Sequence, residues 1–185
     1  MDRRELLRAI AAWTGSAFVG ADRLLAAELS AAAAGTPRQV ALFDEIAETI
    51  LPRTDTPGAK DAQVGAYVAR YSAACYTPAN LAILHAGLVE LDARAHQAHG
   101  TGFLRCSGPQ KQALLAAVDA EAKRHAQASG VDHGPPPHWF TLCKQLVLFG
   151  FFTSEAGETQ VARYRPVPGP YKGVVPYRGE TFWAW

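Results

Sequence analysis

Residues 36–51 read TPRQVALFDEIAETIL, and the fold class follows from their spacing. Val40, Leu42, Phe43, Ile46, Ala47 and Ile50 recur at three- and four-residue intervals, the period of one helix face. Thr36 before Pro37 makes an N-cap and first-turn pair, where the missing proline N–H costs nothing. Pro52 disfavours helical backbone at Leu51, so the helix stops there.

The same punctuation recurs downstream. Pro52-Arg53-Thr54-Asp55-Thr56-Pro57-Gly58 is a turn-rich connection. A shorter helix follows around Val64, Tyr67, Val68 and Tyr71. Thr77-Pro78 opens a longer one through Leu81, Leu84, Leu88 and Leu91, ending near Gly100. Ser107-Gly108-Pro109 opens the next, with Leu114, Leu115 and Val118 inward and Glu121, Lys123 and Arg124 outward. Gly134-Pro135-Pro136-Pro137 breaks the chain before an apolar helix over Trp139–Phe152. No segment alternates with period two over a useful length. The expectation is an all-α fold, a small irregular helical bundle over residues 35–160 with an extended C-terminal arm.

The two ends lie outside that period. Residues 161–185 carry four prolines and the rings of Tyr164, Tyr171, Tyr177, Phe182, Trp183 and Trp185. Arg165-Pro166-Val167-Pro168-Gly169-Pro170 cannot form a helix or a central strand and is expected near polyproline II. Such a stretch of about 25 residues reaches roughly 75 Å at ~3.1 Å per residue. Disordered tails are poor in aromatic rings, so these rings call for a surface. The arm is expected to lie partly on its own helices and partly on another protein, through Tyr164, Arg165, Pro168, Tyr171, Tyr177, Trp183 and Trp185. Arginine and aromatic residues dominate binding energy at such contacts.

At the other end, Met1-Asp2-Arg3-Arg4-Glu5-Leu6-Leu7-Arg8 is followed by the weakly apolar Ala9–Val19 and by small residues at Ala26-Ala27 and Ala31–Ala34. A charged start, a short apolar stretch and small residues describe a secretory signal over residues 1–34. Arg3 and Arg4 before Leu6 and Leu7 point to the twin-arginine route and a periplasmic destination.

The totals exclude several classes. The chain has 185 residues, 18 of them basic and 17 acidic, for a net charge of +1. That is one domain's length, with neither the basic field of a nucleic-acid binder nor an acidic tail. No apolar run reaches the ~20 residues of a membrane span. The three cysteines, Cys75, Cys106 and Cys143, form no C-x-x-C or C-x-x-C-H pattern, so neither a zinc knuckle nor a covalent haem is expected. Cys143 sits among Leu142, Leu146 and Val147 and reads as core, leaving Cys75 and Cys106 as disulfide candidates, with each other or with a partner chain. His96 and His99 sit three apart at a helix end, where a cation complements the dipole without any metal. Asp44, Glu45 and Glu48 read as a solvated helix face. Ser154 reads as an N-cap with Glu155 and Glu158 in or near a first turn. No phosphate loop, G-x-S-x-G or H-E-x-x-H occurs, so no catalytic residue and no metal site is assigned.

The run Ile50-Leu51-Pro52-Arg53-Thr54-Asp55-Thr56-Pro57-Gly58-Ala59, followed by Val64-Gly65-Ala66-Tyr67-Val68, resembles the gluconate 2-dehydrogenase subunit 3 family. Phe151-Phe152-Thr153-Ser154-Glu155-x-Gly157-x-Thr159-Gln160 and Arg163-Tyr164-x-Pro166-Val167-Pro168-Gly169-x-Tyr171 resemble one branch of it. The resemblance implies a small non-catalytic partner of a periplasmic FAD-containing flavoprotein of the glucose-methanol-choline type, which passes electrons to a cytochrome c subunit bearing haem c. The small subunit of such a complex typically carries the export signal for the large one. Gluconate, glucose, fructose or a glycoside are all admissible substrates, since Thr-Ser-Glu-x-Gly stands where gluconate-type members often carry Tyr/Phe-Gly-Gly-Asn. Two rival readings are a self-sufficient metal-dependent enzyme using His96 and His99, and a periplasmic module for a small ligand.

Overall fold

A computed structural model describes residues 35–129, 136–165, 167, 169–170, 173–174, 176–177, 179 and 183–184. The signal residues Arg3, Arg4, Leu6 and Leu7, and the arm residues Pro168, Tyr171 and Trp185, lie outside these. Among the described residues the chain is mostly helical: α1 Pro37–Ile50, α2 Val64–Cys75, α3 Pro78–His99, α4 Gly108–Ser129 and α5 Trp139–Phe152. A 3-10 turn, Phe103–Arg105, joins α3 to α4, and a π turn, Gly157–Val161, follows α5. The small all-α bundle read from the sequence is the observed fold.

Helix ends fall where the local chemistry puts them. Thr36 and Gln39 form a reciprocal capping box on α1: the Gln39 N–H donates to Thr36 Oγ1 (3.2 Å) and the Thr36 N–H to Gln39 Oε1 (2.9 Å). Leu51 closes α1 with its N–H on Ala47 O at 2.8 Å, just before Pro52. Thr77 caps α3. Gly100 ends it in the left-handed region at φ +67°, its N–H on His96 O at 2.8 Å. His138 caps α5 with an imidazole, Nδ1 accepting the Phe140 N–H at 3.2 Å. Burial, and then the neighbouring His125, hold the His138 imidazolium form below its usual range, which suits an acceptor nitrogen.

Helix α5 runs through the core, packed on α2, α3 and α4, while α1 packs chiefly on α2. Phe43, Ile46, Val64, Val68, Leu84, Leu91, Phe103, Val118, Cys143 and Val147 are almost fully enclosed. One contact sets the distance between α3 and α5. A Cβ at Gly87 would lie 2.1 Å from the indole of buried Trp139, so only glycine lets the ring sit against the α3 backbone. At Gly150 a Cβ would meet the Tyr67 ring at 2.5 Å, which allows α5 the same close approach to α2. No described helix is long and apolar enough to cross a membrane.

The arm departs from the simple outward path. Arg163–Tyr164 (β1) pairs in parallel with Trp183–Ala184 (β2), in the register Arg163 to Trp183 and Tyr164 to Ala184. Among the described residues between the two strands, Gly169 and Gly179 lie at φ +85° and +77°, a conformation that other residues would resist. The arm therefore returns to its own root instead of spanning roughly 75 Å. Its proline run hides this pairing in the sequence, because two residues of strand have no readable period.

Candidate docking surface and the pinned turn beside it

Helix α1 sends three carboxylates towards the Pro52–Gln63 connection. Glu48 takes the Arg53 N–H on Oε1 and the Lys60 N–H on Oε2, both at 2.9 Å. One side chain thus holds both flanks of the turn. Asp61 closes the middle, accepting the Gly58 N–H on Oδ2 (2.9 Å) and pairing with Arg53 through Oδ1 (3.1 Å). A Cβ at Gly58 would lie 2.6 Å from both the Arg53 nitrogen and Glu48 Oε1. The glycine is what lets the carboxylate reach in. Ala59, next to it, is fully buried.

Asp44 does the same for the start of α2, accepting the Gly65 N–H at 3.1 Å. A Cβ at Gly65 would stand 2.3 Å from Asp44 Oδ1. Burial raises the Asp44 carboxyl above its usual range, and the Gly65 hydrogen bond only partly offsets that. Glu45 bridges Lys60 (2.6 Å) and Lys111 (2.8 Å). Burial alone would raise it, but the hydrogen bonds from Lys111 and Lys60 outweigh this and hold it below the usual glutamate range. The sequence reading of Asp44, Glu45 and Glu48 as a solvated face needs correction, since all three are tied to the chain that follows. The missed signal is Gly58 and Gly65, two glycines at the points where carboxylates from the preceding helix arrive.

The residues assigned to partner contact behave differently. Tyr164 is 49% exposed, and Val167, Val174 and Tyr177 stand largely in solvent. Arg165 is exposed, and Trp183 enters through its backbone pairing with Arg163. The arm's root is packed: Val161 lies against the core and Ala162 is buried. On the bundle itself, Phe149 is exposed at the end of α5, its ring centroid 6.3 Å from Tyr67 and 6.2 Å from Tyr71. Tyr67 and Tyr71 stack at 5.5 Å. This second aromatic patch was not assigned to the surface from sequence, because Tyr67 and Tyr71 share the period of the buried positions.

Cys75 and Cys106 are not joined. Cys75 is exposed at the end of α2, whereas Cys106 is buried with Sγ 3.7 Å from Gly102 O, and all three cysteines are free thiols. The 3-10 turn Phe103–Arg105 tucks Cys106 inward, which the sequence pattern does not reveal. Cys143 is core, as read, and burial pushes its thiol up to about 12. His96 and His99 occupy the last turn of α3. His96 Nε2 is 4.0 Å from Asp92. That carboxylate also takes the Phe103 N–H at 2.9 Å and Arg38 at 2.8 Å. Among the described residues, no three His, Cys, Asp or Glu side chains converge on a point that could hold a metal ion.

The family model for gluconate 2-dehydrogenase subunit 3 matches residues 37–169, from the first residue of α1 through the root of the arm. Neither a curated protein nor a solved structure matches the chain. The matched span holds the whole bundle and the carboxylate-pinned turn, and the chain belongs to the gluconate 2-dehydrogenase subunit 3 family.

Proposed function

We propose that this chain is the non-catalytic small subunit of a periplasmic flavoprotein dehydrogenase complex, exported by a twin-arginine signal and stabilising an FAD-containing large subunit. Family membership supports a small subunit of a dehydrogenase complex. The large subunit would oxidise a sugar, glycoside or sugar acid and hand electrons to a cytochrome c subunit. In this reading Arg3, Arg4, Leu6 and Leu7 direct export. Tyr164, Arg165, Pro168, Tyr171, Tyr177, Trp183 and Trp185 contact the partner.

The observation that carries the reading is an arm whose root is built into the core while Tyr164 and Tyr177 stay exposed. Large apolar side chains left exposed close together mark association surfaces when they form one patch. The experiment is co-expression with an FAD-containing large subunit of the glucose-methanol-choline type. Cutting after Tyr164 keeps Val161 and Ala162 in the core, so the bundle should keep its helical circular dichroism while the flavoprotein is lost from the purified complex. Full recovery of the flavoprotein with the shortened chain would remove the arm from the contact.

A further inference from the structure

The first turn of α5 is closed by a group that can change its charge. Phe140 is buried, and its N–H has the His138 ring as acceptor, through Nδ1 at 3.2 Å. A ring nitrogen accepts only through its lone pair, so this contact requires the neutral imidazole with its proton on Nε2. Threonine does the same work on α1 and α3 without titrating. The charged and titratable groups facing the ring are Glu90 and Arg94 of α3 and Glu121 and His125 of α4, and Arg94 is tied to both carboxylates. From α5 itself the Trp139 indole stacks on the ring at 6.0 Å. The His125 ring centroid lies 5.9 Å from that of His138. His125 Nε2 donates to Pro136 O at 2.8 Å, a bond that a second proton on its ring leaves intact. The two histidines therefore answer acid differently: His125 keeps this bond, and His138 loses the lone pair that its own bond needs.

We infer that His138 is a proton-operated latch on the N-terminal turn of α5, closed by the neutral ring and released by the imidazolium. On protonation Nδ1 becomes a donor facing a donor. A positive charge then stands at the helix end where backbone N–H groups already point, which the helix dipole opposes. The buried Phe140 N–H is left without that acceptor, so the turn opens to reach water. Trp139 rides on the same turn and is the residue seated against Gly87, so release loosens the contact of α5 with α3 at this end. Further along α5, Cys143, Leu146, Val147 and Phe151 stay held by the core. Burial first, and then the charge on His125, keep the ring's affinity for a proton below the ordinary histidine value of 6.5, against the pull of Glu121 and Glu90. The unfolded chain thus takes up the proton before the folded one does. The latch's contribution is complete above 6.5 and is lost as pH falls from there towards the folded value. It rests closed at neutral pH and is worked by mild acid.

The test uses the full chain, labelled with nitrogen-15 and alone in solution, taken from about pH 7.5 to about pH 5 across the histidine range. At the upper end the ring nitrogen shifts should show His138 carrying its proton on Nε2. The exchange protection of the Phe140 amide, corrected for the pH dependence of the intrinsic rate, should fall roughly five- to tenfold as the His138 ring titrates, the size of a lost helix cap. H138N, whose side chain caps without titrating, should hold its protection constant within about twofold over the same range. Protection that stays level in the parent chain would overturn the latch, as would a proton on His138 Nδ1 at neutral pH. A fall that persists in H138N would overturn it too, by assigning the acid response to another group. None of these readings involves a second chain, so the inference stands or falls apart from the proposed function.

Discussion

The Pro52–Gln63 turn and the arm after Tyr164 are both rich in proline and both irregular, yet they are held in opposite ways. In the turn, backbone donors are collected by Glu48 from α1 and by Asp61, and glycine clears the approach. In the arm, the described side chains face solvent, and order comes from a two-residue parallel pairing at its base. Irregular backbone becomes part of a rigid body only where its polar groups find partners within the same chain. The turn belongs to stability, and the arm is where the proposed association would be read.

Four measurements would break or sharpen that contrast. The largest effect on stability is expected from E48A, which removes the acceptor of two backbone N–H groups at once. A loss of about 2–4 kcal/mol in urea unfolding is expected, and a loss below about 0.5 kcal/mol would mean the turn holds itself. Next is G58A, whose new Cβ collides with the Arg53 nitrogen as well as Glu48. It should cost about 1–3 kcal/mol, and a neutral result would show that the turn can shift aside.

Third is acid. The folded Glu45 carboxyl lies below its usual value of 4.5, so its ion pairs contribute fully above that pH and are lost as pH falls through the folded value. Unfolding free energy should decline over that window, with a shallower slope in E45Q; an unchanged slope would assign the acid effect to other carboxylates such as Asp119 and Glu121, which are lowered by their own lysine and arginine partners. The smallest stability change belongs to the arm. V174S with Y177S should stay within about 0.5 kcal/mol of the parent in unfolding while weakening capture of the flavoprotein. A large unfolding effect would make the arm structural after all.

Much of the fold was legible because it is written in punctuation. Thr36-Pro37 and Thr77-Pro78 open helices where expected, and Pro52 and Gly100 end them. The apolar stretch Trp139–Phe152 is a helix over its whole length. What escaped the sequence depends on distance along the chain. Glu48 reaches Lys60 across twelve positions, Arg163 meets Trp183 after a crossover, and Cys106 turns inward through a 3-10 turn of three residues. None of these contacts leaves a period in the sequence. The family resemblance, by contrast, rested on the Pro52–Ala59 run, whose glycine and buried alanine are required by the cage around Glu48.

Trp139 packed against Gly87 has one more effect. It nails the inner side of α3 to α5, so the outer side, with His85 and Val89, is an anvil that stays put. The facing end of α1 is clasped to it by Arg38, which pairs with Asp92 at 2.8 Å, so the position of that end is referred, through α3, to the same indole.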